Sequence, residues 1–253
     1  MRTAVISDIH GNAEALRAVL ADIDSRSVDR IVCLGDVLGY GPDPVICADL
    51  VAERCEWCLM GNHDFGVLYE PTNFNLAAEQ ACYWSRRQFD AEPDEQAKAR
   101  RLEFLNRLKV RAEFGDFTCV HASPRRPINE YIFPEDAVNA PNKLRQIFEW
   151  IPRYGLCGHT HVPGVFTDEP DFYPPGDLDG VYKLNDTEKA IINPGAVGQP
   201  RDLDPRASYA ILDEDARTVE FHRVEYDIEA VVAKIKAQPD LVDWLGERLR
   251  EGR

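Results

Sequence analysis

The first sixty residues alternate between strand-like and helix-like segments, and this alternation limits the fold of the 253-residue chain more than any other feature. Residues 3–7, 30–34 and 57–60 are apolar runs of the length expected for buried strands. After the first run, Asn12 can cap a helix whose apolar residues recur at helical spacing, and a second helix is predicted over residues 44–54. The β-α-β-α-β order predicts parallel strands with right-handed crossovers, and so an α/β fold.

The middle of the chain interrupts the alternation. Residues 66–109 predict a helical insertion of two helices, about 75–89 and 94–108, separated by a proline-containing turn. An insertion at this point has two interpretations that the sequence leaves open. It is either a cap over a site formed by the preceding residues or a helical pair that covers the edge of a sheet.

The rest of the chain predicts a second group of strands. Residues 111–114 and 117–120 form a hairpin, residues 143–150 a helix and residues 154–157 a strand. Closely spaced strands near residues 164–166, 181–184, 190–192, 209–212 and 219–224 indicate an antiparallel part of the sheet system. The last segment, residues 226–253, is helical. We expect one domain over residues 1–253, of which residues 66–109 and 226–253 are helical additions.

The composition of the chain excludes several classes of function. The net charge of −15 disfavours sequence-independent binding to DNA or RNA, so no binding to nucleic-acid duplexes is expected. No apolar run approaches the ~18 residues of a membrane helix, and the N-terminus lacks the features of a signal peptide. Seven cysteines without a framework spacing argue against disulfides. A cytoplasmic protein is expected, with no membrane association.

Side chains that bind metals follow most of the strand-like runs. Strands of shared direction end at one edge of a sheet, so residues distant in sequence can meet there. Oxygen and nitrogen donors without a thiolate favour Mn²⁺, Fe, Zn²⁺, Ni²⁺ or Co²⁺ over sites built only for Mg²⁺ or Ca²⁺. Such a set is what a two-metal hydrolase requires. Its candidate members are Asp8, His10, Asp36, Asn62, His63, Asp64, His121, His159 and His161.

Local spacing suggests how these residues share a site. Asp8 and His10 are two residues apart, as are His159 and His161, and in an extended segment such pairs point to the same side. Asp36 follows a glycine at a strand end and has two oxygens with which to bridge two ions. The alternative for Asp8 and Asp36 is that they only cap helices, a position that aspartate favours.

The motifs, taken in order, resemble the signature of the calcineurin-like metallophosphoesterase superfamily. Three longer strings, at residues 7–12, 35–42 and 193–201, resemble its small prokaryotic branch, which is diadenosine tetraphosphatase-like and phosphodiesterase-like. The motifs that carry the resemblance are Asp8-x-His10, Gly35-Asp36, Gly61-Asn62-His63-Asp64, His121 and Gly158-His159-x-His161.

The resemblance implies a fold and a reaction. The fold would be a four-layer α/β/β/α sandwich of two mixed β-sheets with the site at one end. Two divalent metal ions would be bound, with Asp36 as the bridge, and a metal-bridging hydroxide would attack a phosphate ester or anhydride in line. His63 would stabilise or protonate the leaving oxygen. Asp8, His10 and His161 would hold one ion, and Asn62, His121 and His159 the other.

One position departs from the protein phosphatases of this superfamily. The protein phosphatases have an aspartate that orients the histidine equivalent to His63. At the corresponding position this chain has Gly39, and Asp64 is a possible replacement. We expect a phosphorylated small molecule or nucleotide as the substrate. A phosphoprotein phosphatase and an inactive metal-binding scaffold of the same fold are the alternatives, although a scaffold has no need of the complete ligand set.

Arginines are candidates for contacts with a substrate phosphate, because they form bidentate hydrogen bonds with it. Among Arg125, Arg126 and Arg201, we favour Arg201, which follows the Gly198-Gln199-Pro200 turn. Asn12 and Tyr40 lie near the motifs, and helix capping and packing explain them as well as contact with a substrate does.

Overall fold

Two mixed sheets of six strands each form the centre of the protein in the computed structural model, which describes all residues from 1 to 253. One sheet has the strand order β3-β2-β1-β11-β12-β9, and the other has the order β4-β5-β6-β10-β7-β8. The strands are β1 (Arg2–Ile6), β2 (Arg30–Cys33), β3 (Trp57–Cys58), β4 (Arg111–Phe114), β5 (Phe117–Val120), β6 (Tyr154–Leu156), β7 (Gly164–Thr167), β8 (Asp171–Tyr173), β9 (Val181–Lys183), β10 (Ala190–Asn193), β11 (Ala207–Asp213) and β12 (Thr218–Val224).

Nine α-helices surround the sheets, and two short 3₁₀ turns lie at Pro175–Leu178 and Arg248–Glu251. The helices are α1 (Ala13–Asp24), α2 (Pro44–Arg54), α3 (Asn62–Leu68), α4 (Leu76–Asp90), α5 (Glu95–Asn106), α6 (Asp136–Asn139), α7 (Pro141–Phe148), α8 (Ile228–Lys236) and α9 (Trp244–Glu247). None of them combines the length and the hydropathy that crossing a membrane requires.

The strand directions follow the predicted rhythm. β1, β2 and β3 are parallel neighbours, and β11 then joins the other side of β1 in the antiparallel sense. In the second sheet, β5, β6 and β10 are parallel, and β4, β7 and β8 are antiparallel additions. The parallel strands of both sheets therefore end at defined edges, where their carboxyl-terminal loops meet.

The side chains of β1 point alternately to the two faces of the first sheet, and their contacts show how the layers are ordered. Val5 packs in a cluster that also contains residues from the second sheet, such as Leu156, so this cluster lies between the sheets. Its neighbours Ala4 and Ile6 belong to a cluster with Leu16 of α1, on the outer face. On the far side of the second sheet, Ile191 of β10 packs with Leu144, Ile147 and Phe148 of α7. Helix, sheet, sheet and helix follow one another, which confirms the predicted α/β sandwich.

The predicted helical insertion consists of α4 and α5, and the end of α3 precedes them. Ala81 and Trp84 of α4 pack with Val231, Ile235 and Leu245 of the C-terminal segment. That segment is broken between α8 and α9 at residues 237–243, which include Pro239. The insertion is thus anchored on the C-terminal helices, and its role as a substrate cap stays a prediction.

Candidate metal centre

Seven buried side chains converge where strands of both sheets end. They follow β1, β2 and β3 in the first sheet and β5 and β6 in the second. Asn62 is the first residue of α3 rather than part of a strand, because a helix begins directly after Gly61. The seven are Asp8, His10, Asp36, Asn62, His121, His159 and His161, so the structure brings together all seven ligands that the resemblance implies.

The backbone that presents these ligands is left-handed rather than extended. Asp8 and His10 have φ of 54° and 49°, and His159 and His161 have φ of 67° and 62°. Asp36 shares this conformation with φ of 54°. The pairs do share a site, but the extended geometry expected from their spacing is wrong. Left-handed non-glycine residues cost free energy and persist where the surrounding structure enforces them, as it often does at functional sites.

Asp36 lies at the centre of the cluster. Its Oδ2 is 3.6 Å from Nε2 of His10 and 3.3 Å from Nε2 of His121. Its Oδ1 accepts the backbone N–H of His63 at 2.8 Å, in the first turn of α3. Asp36 therefore does cap a helix, but with one oxygen only. Its Oδ2 is the oxygen that faces the neighbouring histidines, so Asp36 is placed where it could be shared by two ions.

Three of the histidines are oriented by backbone carbonyls. Nδ1 of His10 donates to Leu38 O at 3.1 Å, and Nδ1 of His121 donates to Leu34 O at 3.0 Å. Nδ1 of His161 donates to the carbonyl of residue 199 at 2.6 Å. A proton on Nδ1 leaves the lone pair of Nε2 free in a neutral ring, which is how metal-binding histidines are commonly arranged.

The Nε2 atoms that point into the cluster are suited to binding a cation. Nε2 of His10 and Nε2 of His161 are 3.2 Å apart, and two neutral rings with protonated Nδ1 atoms present lone pairs to each other there. Nε2 of His159 is buried without any hydrogen-bond partner. Buried polar atoms are almost always paired, so these unpaired nitrogens are what a metal site leaves in the absence of its ion.

Two overlapping groups of ligand atoms result. One consists of Asp8, His10, Asp36 and His161, and the other of Asp36, His121 and His159, with the ligand atoms within 4.8 Å of one another in each. Asn62 joins the second group through Oδ1, which lies 3.2 Å from Nε2 of His121. Asp36 is common to both groups. Cys55 and Cys58 belong to no such group, and burial raises the pKa of both thiols well above the usual range.

Electrostatics in the metal-free protein keep most ligands in the form that binds metal. Burial lowers the pKa of His10, and it lowers that of His159 to about 3. Burial opposes the charge on Asp36, but His121 and the other nearby histidines hold the pKa of Asp36 well below its usual range. His121 is the exception. Burial lowers its pKa, but the charge of Asp36 outweighs burial and raises the pKa of His121 to about 9.

Glycines allow the backbone to approach the two carboxylates. A Cβ on Gly61 would lie 1.9 Å from Oδ1 of Asp36, and one on Gly158 would lie 2.4 Å from Oδ2 of Asp8. Neither glycine has a positive φ, so close approach rather than conformational freedom explains both. The glycines in the Gly-Asn-His-Asp and Gly-His-x-His motifs are therefore part of the metal centre's packing.

His63 lies next to the ligands without joining them. Its ring packs against Tyr40 at 4.3 Å, Phe74 at 4.6 Å and His10 at 4.8 Å between centroids. Nδ1 of His63 is 3.7 Å from Sγ of Cys82 on α4. Burial lowers the pKa of His63 to about 4 and raises that of Cys82 to about 12, so both are neutral near pH 7 in the metal-free protein.

Asp64 does not orient His63, so the suggestion that it replaces the missing aspartate is wrong. Its carboxylate accepts three backbone N–H groups, from Asp36 at 2.8 Å, Leu38 at 3.0 Å and Gly61 at 3.0 Å. Asp64 thereby joins the loop after β2 to the start of α3. Its role is to hold Asp36 in place.

The arginine candidates have different surroundings. Arg125 is bound to Glu130 at 2.5 Å, and Arg126 is exposed. Arg201 is half-buried next to the cluster, where its side chain donates to Oε1 of Gln199 at 2.7 Å. Asn12 caps α1 by accepting the N–H of Ala15 at 3.0 Å, so capping describes it correctly.

Sequence reasoning missed three neighbours of the site. Phe74 and Cys82 contact His63 from the insertion, and Tyr131 stacks on the ring of His159 at 3.8 Å between centroids. Each belongs to a helix or loop without a motif. For Phe74 and Cys82 the available signal was the position of the insertion, directly after the Gly-Asn-His-Asp motif, and for Tyr131 there was none.

Two facing sheets that present a buried cluster of aspartate and histidine define a metal-dependent hydrolase, and comparison with known proteins identifies its family. The calcineurin-like phosphoesterase superfamily domain matches residues 1–217. The chain therefore belongs to the calcineurin-like phosphoesterase superfamily. It is a phosphoric ester hydrolase of a metal-dependent family, and it acts on phosphorylated substrates.

Individual relatives match over their whole length. An uncharacterized protein of Methanocaldococcus jannaschii is 39% identical over 260 residues, which cover 99% of this chain and 98% of that protein. A metallophosphoesterase from Sphaerobacter thermophilus is 39% identical, with a TM-score of 0.84 over 100% of this chain and 99% of its own. A hypothetical protein from Pyrococcus horikoshii shares the fold at 18% identity, with a TM-score of 0.76 and coverage of 100% and 98%.

Proposed function

We propose that the protein is a dinuclear metal-dependent phosphoesterase that cleaves a phosphate ester or anhydride of a small molecule or nucleotide. Asp8, His10 and His161 would hold one divalent ion, and Asn62, His121 and His159 the other. The observation that carries this proposal is the position of Asp36 Oδ2 between the two groups of ligand atoms. Asp36 would then be shared by the two ions, as two-metal hydrolysis requires.

The chain's own residues prepare the site for such a pair. When bound, the two ions would supply positive charge and an acidified water for in-line attack on phosphorus. The carbonyl bonds to Nδ1 of His10, His121 and His161 keep their Nε2 atoms directed at the ions. Burial of the whole cluster excludes bulk water, which strengthens every charge interaction within it.

His63 is the proposed catalytic residue that is not a ligand. If the thiol of Cys82 donates to Nδ1, the proton of the neutral ring is on Nε2. In that form His63 donates a hydrogen bond to the leaving oxygen without carrying a charge. Arg201, which has no acidic partner, would bind a phosphate oxygen of the substrate.

The test uses metal-stripped protein reloaded separately with Mn²⁺, Zn²⁺, Ni²⁺ and Mg²⁺ and assayed with an aryl phosphate and an aryl phosphodiester. Two bound ions per chain and metal-dependent turnover are expected. Asp36→Asn and His121→Ala should abolish turnover and reduce metal content, whereas His63→Ala should slow turnover with metal content near normal.

A histidine outside the cluster provides the matched control. His222 on β12 stacks on Tyr209 at 5.0 Å and contacts no candidate ligand, so His222→Ala should keep both metal content and turnover. Unchanged turnover in metal-loaded Asp36→Asn or His121→Ala would contradict the assigned site.

A further inference from the structure

The ring of His159 lacks the support that the other ligand histidines have. The three other histidines of the cluster each donate Nδ1 to a backbone carbonyl, but His159 makes no such bond. Its Nε2 is buried without a partner, and its backbone N–H is bonded to the carboxylate of Asp8. A hydrogen bond to the second ring nitrogen is what usually orients a metal-binding histidine. The orientation of this ring therefore depends on other contacts.

Aromatic contacts take the place of the missing hydrogen bond. Tyr131 stacks on the ring of His159, with 3.8 Å between the centroids and 22° between the planes. Phe133 stacks in turn on Tyr131, at 4.9 Å and 6°. The ring of His159 also meets His121 edge-on, at 5.0 Å and 65°. Because a stacked contact fixes the plane of a ring, Tyr131 limits the directions in which the nitrogens of His159 can point.

The loop that carries Tyr131 is anchored on both sides of this residue. The carboxylate of Glu130 accepts hydrogen bonds from Ser123 Oγ and from Nη2 of Arg125, each at 2.5 Å. Ile132 is 2% exposed and packs on the outer face of the second sheet. Exposure alternates along residues 131–133, as it does in an extended segment, so the burial of Ile132 directs Tyr131 to the opposite side. The tyrosine ring is thus held in place by contacts that do not involve His159.

Stacking also favours the metal-bound form of the histidine. An imidazole that coordinates a cation takes up part of its positive charge, and the face of an aromatic ring is electron-rich. The contact between Tyr131 and His159 is therefore stronger when an ion is bound than when the ring is neutral and free. This difference contributes to metal affinity in addition to the orientation of the ring.

We propose that Tyr131 is a positioning residue of the second metal site. It holds the ring of His159 in the orientation that binds the ion shared with Asn62 and His121. Its ring stacks on neither histidine of the other ion, so its effect is limited to one ion of the pair. This inference rests on the proposed function, because it takes two ions to be bound.

The experiment measures metal binding and does not depend on turnover. Metal-stripped protein is titrated with Co²⁺ in competition with a chromophoric chelator, which gives an affinity for each of the two ions. Tyr131→Leu should bind one ion with wild-type affinity and the other roughly tenfold or more weakly, the usual effect of removing the support of a metal ligand. Tyr131→Phe keeps the stacked ring and should bind both ions like the wild type.

A double-mutant cycle shows whether Tyr131 acts through His159. His159→Ala should weaken the same ion, and the addition of Tyr131→Leu should cause little further loss, because residues that act together have non-additive effects. Tyr173 on β8 provides the comparison, since it is exposed to nearly the same extent, 36% against 37%, and makes no ring contact with a histidine. Tyr173→Leu should bind both ions like the wild type.

The positioning role is refuted if Tyr131→Leu binds both ions like the wild type, if it weakens both equally, or if the losses in the double variant add. A loss in Tyr131→Phe as large as in Tyr131→Leu would also refute it, because the stacked ring would not be responsible. A wild type that binds two ions, one of them dependent on Tyr131, but hydrolyses no aryl phosphate or phosphodiester would refute the proposed function and leave this role intact. Binding of fewer than two ions by the wild type would refute both.

Discussion

At the scale of single residues, Gly39 determines the surroundings of His63. A Cβ at this position would lie 2.5 Å from Nδ1 of His63, so no larger residue fits while the ring keeps its place. Where the protein phosphatases have an orienting carboxylate, this chain has aromatic rings and the thiol of Cys82 around His63. His63 is held by packing and by a weak hydrogen bond instead of a charged partner.

Gly39→Ala should therefore lower kcat roughly tenfold to a hundredfold by displacing His63, with metal content unchanged. Gly39 also has φ of 83°, which costs alanine about 1 kcal/mol or slightly more in stability. Gly115→Ala is the matched control, because Gly115 has φ of 51° with nothing within 4 Å. Urea unfolding should show a loss of stability for both variants, larger for Gly39→Ala because of its contact with His63, and only Gly39→Ala should lose turnover. Equal turnover would show that Gly39 does not position His63.

At the scale of elements, regular segments were predictable and the turns between them were not. Helix α2 begins at the predicted Pro44 because proline suits the first helical position, and β4 and β5 have the predicted bounds around Gly115-Asp116. The residues that form the centre belong to the irregular segments. The left-handed backbone at Asp8 and Asp36 is enforced by contacts between loops, such as the N–H of residue 9 donating to Asp36 O at 2.8 Å.

Helix α3 and strand β8, like the short helix α6, were not predicted from the sequence. Helix α3 starts inside the Gly-Asn-His-Asp motif, where Asp36 accepts the N–H of His63 and Asp64, within the helix itself, accepts the N–H of Gly61. Strand β8 has only three residues and takes its pairing from β7. The bond between Asp64 and Gly61 lies within the motif, whereas the contact with Asp36 and the pairing of β8 are tertiary contacts that the local sequence does not contain. The candidate ligands, in contrast, were visible because glycine, aspartate and histidine occur there at family spacing.

Asn12 and Asn75 test how a helix cap contributes when it also joins two loops. Both accept an N–H in the first turn of their helices at 3.0 Å, but Asn12 also donates to the buried carbonyl of Gly198 at 2.9 Å. Asn75→Ala should destabilise the protein by about 1 kcal/mol, the usual value of a cap. Asn12→Ala should cost about 2–3 kcal/mol, because it also leaves a buried acceptor unpaired. Urea unfolding of the metal-free variants measures this, and equal losses would contradict the additional role of Asn12.

At the scale of the whole molecule, the sandwich assembles one site from both sheets. The first sheet provides Asp8, His10 and Asp36, and the second provides His121 and His159. Carboxylates and histidines that are far apart in sequence are thereby buried together. Because they are buried close to one another, the protonation state of each depends on the charges of the others. Metal binding must therefore be coupled to protonation across the interface between the sheets.

This coupling gives a prediction about proton release. In the metal-free protein the charge of Asp36 overcomes burial and raises the pKa of His121 to about 9, so His121 carries a proton at pH 7.5 that a metal ion must displace. His10, His159 and His161 have lowered pKa values and are already neutral. Loading at pH 7.5 should therefore release about one proton from the ligands, and metal affinity should rise with pH up to about 9 and then level off. Calorimetric titration in buffers of different ionisation enthalpy counts the protons. Equal release at pH 7.5 and pH 10 would show that His121 is not the source.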